Sequence, residues 1–148
     1  MNKRKIISWL AVILWLVLIF ILSAQPVLKS NGLSKSIAEK VIKIIKKISP
    51  DKNISLGRFN HYLRKAAHFF FYMILGILMM NVLKMMKVEG AKRIALALLI
   101  CVLCAMLDEF HQLFVPGRGA QVKDVIIDSI GAIVGIGLYG IWGKLIKR

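Results

Sequence analysis

The chain has 148 residues, enough for one domain, but at 58% hydrophobic with a mean hydropathy of +0.71 it is not an ordinary soluble one, since a typical globular domain is about half apolar. Lys and Arg number 22 against 7 Asp and Glu, a net charge of +15 that calls for anionic partners. Long apolar runs and the lack of a soluble basic domain make those partners the head groups of membrane lipids rather than nucleic acid.

The first apolar run, 6–24, follows Lys3, Arg4 and Lys5 and is long enough to cross about 30 Å of hydrocarbon. It exceeds a usual signal-peptide core and ends without an A-x-A cleavage pattern, so it reads as a retained helix stopped by Pro26. A polar stretch follows, from 27 to 60. Within it, over 35–49, Ile37, Val41, Ile44, Ile45 and Ile48 recur at helical spacing, with Lys35, Lys40, Lys43, Lys46 and Lys47 between them. That pattern predicts an amphipathic helix lying on the membrane, lysines toward phosphates.

Three more runs follow, at 66–83, 94–114 and 125–145. A short basic loop with a turn at Gly90 joins the first two, and Pro116-Gly117-Arg118-Gly119 forms the turn before the last. The expected fold is all-α: an integral membrane four-helix bundle forming one domain over 1–148, with an added interfacial helix. Cys101 and Cys104 form a C-x-x-C pair inside the third run, where no second pair completes a zinc site, so they read as small apolar residues.

Four crossings place both chain ends on one side and the unusual polar residues on the other. Gln25 ends the first span; Arg64, Lys65 and His68 open the second; Asp108, Glu109 and Gln112 end the third. Arg118 lies in the following loop, and Asp124 and Asp128 open the fourth. Four of the seven acidic residues fall between 108 and 128. Lys65, His68 and Tyr72 share a helix face, as do Asp124, Asp128, Gly131 and Gly135, where Gly-x-x-x-Gly permits close helix approach. An unpaired charge at bilayer depth costs about 2.5 to 3.5 kcal/mol, so these groups are expected to face a cavity or one another. Lone His61 and His111 read as solvated.

These patches resemble the signature of the VanZ-like family of membrane proteins. The resemblance covers Ser23-Ala24-Gln25, then Arg64-Lys65-Ala66-Ala67-His68-Phe69 with Tyr72 and Leu75-Gly76. It continues through Asp108-Glu109-Phe110-His111-Gln112-Leu113-Phe114-Val115-Pro116-Gly117-Arg118, followed by Asp124, Asp128, Gly131 and Gly135. Family members often carry Asn at the position of Asp128, and the basic insert around 35–47 is not part of the shared pattern. The family's namesake is associated with low-level teicoplanin resistance in Gram-positive bacteria. The resemblance implies a cell-envelope protein of the cell membrane, with an effect on susceptibility to glycopeptides or other antimicrobials as the expectation.

The expected pocket assigns ligand binding to Gln25, Lys65, Tyr72, Gln112, Arg118, Asp124 and Asp128, with cations holding a phosphate or carboxylate. His68, Asp108 and Glu109 are the catalytic candidates, as carriers of a proton. Carboxylates and imidazole suit several divalent ions, but no tight ligand motif such as H-x-x-x-H is present, so no metal residue is assigned. The partners expected are anionic lipid head groups and a lipid-linked envelope precursor or glycopeptide. Catalysis on such a lipid-linked substrate, binding or shielding without catalysis, and proton-coupled transport all stay open, as do cofactor and oligomeric state. Lysines and arginines flank both ends of the spans, so charge bias alone leaves the orientation undecided, and cytoplasmic termini are the expectation.

Overall fold

The computed structural model describes residues 3–24, 36–37, 39–45, 47, 55–116 and 119–145. Four helices are long and apolar enough to cross a membrane: α1 (Lys3–Ser23), α2 (Leu56–Met85), α3 (Gly90–Gln112) and α4 (Val122–Leu145). The described residues between 36 and 47 are helical too, with Ile42 buried but Ile37 and Ile44 exposed. Gln25, Lys35, Lys46, Ile48, Gly117 and Arg118, on which part of the sequence reading rests, lie outside the described residues.

Each span is defined by its apolar length, but its ends depart from the hydropathy runs. α2 begins at Leu56 rather than 66, and its 30 residues measure about 45 Å. Its first turns carry Arg58, His61, Arg64 and Lys65, polar side chains that interrupt hydropathy while leaving helix formation intact. α3 stops at Gln112, short of 114, because Pro116 cannot continue a helix and biases the residue before it away from helical geometry. Gly90 opens α3 with φ +58, the left-handed region that glycine enters without strain.

α2 is the central helix. It shares its largest interface with α4 and also packs on α1 and α3, while α1 only grazes α3. The α2–α4 contact is set by glycines. A Cβ on Gly135 would collide with the Met73 carbonyl, and one on Gly131 with the Phe69 carbonyl. From the other side, a Cβ on Gly76 would come within 2.6 Å of the Ala132 carbonyl. Absence of these side chains brings the two backbones together, the close approach expected of the small-residue pattern.

On α3 the inward face runs Ala97, Cys101, Ala105, Asp108 and Gln112, all buried and three or four residues apart. Cys101 thus belongs to a small-residue seam, and it and Cys104 are free thiols. α1 turns Ser8, Val12, Ile19 and Ser23 inward. Trp15 donates from Nε1 to the Phe71 carbonyl at 2.9 Å, which holds α1 against α2. At the end away from Ser23, Asn81 donates to Ser8 Oγ at 3.2 Å and accepts from the Tyr139 hydroxyl at 3.4 Å, linking α1, α2 and α4. Large apolar side chains such as Leu14, Leu107, Ile130 and Trp142 stay exposed. That is the arrangement of a bundle whose solvent is hydrocarbon.

Candidate functional site

The buried seams of three helices turn polar at the same end of the bundle. The α3 seam passes from Ala105 to Asp108 and Gln112, and α4 contributes Asp128 one turn before Gly131 and Ala132. Because the glycines draw α4 onto α2, Asp124 and Asp128 come opposite Lys65 and His68.

Lys65 Nζ donates to Asp124 Oδ1 at 2.7 Å, with both side chains partly exposed. One turn deeper, His68 Nδ1 lies 3.7 Å from Asp128 Oδ2. Asp128 and Asp108 are both fully buried. Gln112 Nε2 donates to Ser23 Oγ at 2.7 Å and more weakly to Asp108 Oδ2 at 3.4 Å, so one carboxamide joins α1 to the acidic end of α3.

A cavity of about 190 Å³ lies against this cluster. His61, Arg64, Lys65 and His68 line it from α2, Gln112 from α3, and Asp124, Ile127 and Asp128 from α4, with Gly119 and Gln121 from the connecting loop. Its wall on α2 is cationic, and its α4 side is acidic.

Of the ligand-binding candidates, Lys65, Gln112, Asp124 and Asp128 line this cavity. Tyr72 is fully buried below them and its hydroxyl has no hydrogen-bond partner among the described residues. Gln25 and Arg118 are outside the described residues. Among the catalytic candidates, His68 lines the cavity and Asp108 lies buried in the same cluster. Glu109 takes a different place. Its Oε2 accepts from the Gln121 backbone N–H at 2.8 Å, anchoring the loop just before α4.

His61 and Arg64 were not among the assigned site residues, yet both line the cavity. Their signal is in the spacing: 61, 64, 65 and 68 fall three or four apart and so share one face of a helix. His111 is exposed and stacks edge-on to Phe20 at 6.0 Å between ring centres.

No curated protein and no solved structure matches the chain. The sequence model of one family, VanZ/LLP1, matches residues 8–143, from the first span into the last. That match takes in all four apolar helices and the charged patches they bring together, and this multi-pass membrane protein belongs to the VanZ/LLP1 family.

Proposed function

We propose that this VanZ-family protein works in the bacterial cell membrane by receiving the anionic group of an amphiphilic envelope molecule in the cavity between α2, α3 and α4. The class includes lipid-linked envelope precursors and the glycopeptide antimicrobials that bear on them, so the protein alters antimicrobial susceptibility. One observation carries the reading: Arg64 and Lys65 stand with His61 and His68 on one wall of a cavity at the end of apolar spans. The Arg64 guanidinium, joined by the Lys65 ammonium as it exchanges Asp124 for the ligand, meets phosphate or carboxylate, while the ligand's tail stays in hydrocarbon. The termini lie in the cytoplasm in this reading, which places the cavity at the outer surface.

The test is retention of a polyprenyl phosphate against the matching neutral polyprenol by the full chain in lipid nanodiscs. The phosphate is expected to bind at least about tenfold more tightly, with the preference removed by Arg64→Ala with Lys65→Ala. Equal retention of alcohol and phosphate sinks the anion-binding reading.

A catalytic reading has its own support in the His68–Asp128 pair at the cavity wall, 3.7 Å apart, where an imidazole beside a carboxylate moves a proton. Cells carrying His68→Ala, Asp108→Asn, Glu109→Gln or Arg118→Ala, each at normal membrane level, test it. Unchanged antimicrobial sensitivity in all four excludes catalysis at this site.

A further inference from the structure

We propose that His68, Asp108 and Asp128 form a binding site for a divalent metal ion of the zinc class, beneath the cavity where α2, α3 and α4 converge. One potential ligand atom from each lies within 4.8 Å of the other two. The three residues come from three different helices. For that reason no short spacing in the sequence announces the set, unlike a helical H-x-x-x-H pair.

Geometry and donor chemistry agree. Zinc binds imidazole nitrogen at about 2.0–2.1 Å and carboxylate oxygen at about 2.0–2.2 Å, so two ligands of a tetrahedral site stand roughly 3.4 Å apart. His68 Nδ1 and Asp128 Oδ2 are 3.7 Å apart. Bringing Asp108 to the same centre takes side-chain rotation rather than movement of a helix, because its reach is already inside the 4.8 Å limit. One nitrogen and two carboxylates form a mixed donor set suited to zinc, and three protein ligands leave a fourth position for water or substrate. The cavity, lined by His68 and Asp128, adjoins that fourth position.

The charge balance favours an ion of this kind, the nearest other group to Asp128 being the His68 imidazole at 3.7 Å. Asp108 and Asp128 are 0% exposed, each within a membrane-spanning helix. Among the described residues, neither oxygen of Asp128 and not Oδ1 of Asp108 has a hydrogen-bond partner. The Lys65 ammonium is engaged at 2.7 Å by Asp124, one turn away. A dication neutralises two buried carboxylates at once. Tyr72 is an independent sign. Its hydroxyl is fully buried, has no hydrogen-bond partner among the described residues, and lies within Coulombic reach of both Asp108 and Asp128. Gln112, held by Ser23, donates to Asp108 Oδ2 and so leaves Oδ1 for the ion.

The experiment uses the purified full-length chain in detergent micelles, stripped with a chelator and re-equilibrated with Zn²⁺ or Co²⁺ alone. After desalting, about one Zn²⁺ per chain is expected, and Co²⁺ is expected to give the intense visible absorption of a four-coordinate site with nitrogen and oxygen donors. Asp128→Asn and His68→Gln each lower Zn²⁺ affinity by about tenfold or more, whereas Glu89→Gln, at the opposite end of the bundle, leaves it unchanged. Wild-type protein that retains no stoichiometric Zn²⁺, or Co²⁺ that keeps the weak spectrum of the hexa-aqua ion, overturns the proposal. So does Zn²⁺ retained undiminished by Asp108→Asn with Asp128→Asn. The Co²⁺ spectrum needs only the wild-type chain, so it decides the matter even where those variants do not fold.

Discussion

Gln112 Nε2 donates to Ser23 Oγ across 2.7 Å with both side chains buried, and so fixes the end of α1 to the end of α3. Among the described residues these helices touch little elsewhere, the edge-on contact of Phe20 with His111 lying at the same end. Hydrogen bonds between membrane helices average about 0.6 kcal/mol and reach about 1.7 kcal/mol. Ser23→Ala is expected to cost an amount within that range, measured as reversible unfolding in mixed micelles. Gln112→Leu, which also releases Asp108 Oδ2, is expected to cost more than Ser23→Ala. Equal stability of all three proteins would show that the carboxamide bridge does not hold α1.

The glycines of α4 divide into two groups. Gly135 faces the Met73 carbonyl, but Gly137 has open space where a side chain would go. Gly135→Ala is expected to destabilise by about 1 to 3 kcal/mol through overpacking, and to weaken whatever binds between α2 and α4. Gly137→Ala gains helix propensity instead, up to about 1 kcal/mol. Thermal unfolding of the two variants side by side checks the sign of each change.

Lys65 and Asp124 are partly exposed, so their ion pair contributes only about 0 to 1 kcal/mol to stability. Lys65→Met is therefore expected to leave the melting temperature nearly unchanged and to reduce retention of a polyprenyl phosphate. A large fall in melting temperature with retention intact would move Lys65 from ligand binding to bundle assembly.

Glu109 accepts a backbone hydrogen bond from Gln121. Glu109→Gln keeps an oxygen able to accept that bond, whereas Glu109→Ala removes it and leaves the exposed Gln121 N–H to water, a loss of about 0.5 to 1.5 kcal/mol. If Glu109 anchors the loop, the Gln variant keeps both stability and function. If it carries a proton, function falls in the Gln variant while stability holds.

Orientation is decided by labelling. With Cys101 and Cys104 replaced, single cysteines at Ser36 and Lys147 are expected to react oppositely in intact cells with a reagent that does not cross membranes. Ser36, on the cavity side of the sequence-derived topology, reacts; Lys147 does not. The reverse result puts the cavity in the cytoplasm.

Much of this architecture is legible in the sequence because hydropathy measures what a bilayer requires. Four long apolar runs give four spans, and residues at their ends are placed at a common end by alternation alone. Lys65, Gln112, Asp124 and Asp128 meet around one cavity for that reason. The start of α2 is less legible, since charges that project beyond hydrocarbon resemble a loop in a hydropathy profile although the helix continues through them. The convergence of His68, Asp108 and Asp128 depends on rotation of three separate helices about their axes; the Gly131 and Gly135 contacts set it for α2 and α4, and the small-residue seam of Ala97, Cys101 and Ala105 turns Asp108 inward on α3. Glu109 was inseparable from Asp108 in sequence, yet one residue on a helix turns a side chain by about 100°, enough to send it to the loop.

The reach of α2 has one last consequence. Its length of about 45 Å exceeds a hydrocarbon layer of about 30 Å, so its first turns, with Arg58, His61 and Arg64, stand in the head-group zone as a rigid mast. The cationic wall is thus built into the same rod that is packed into α1, α3 and α4 farther down. When bilayer thickness changes, the bundle adjusts by tilting or sinking as a unit. Acyl-chain length therefore sets the altitude at which this positive charge stands relative to the lipid head groups.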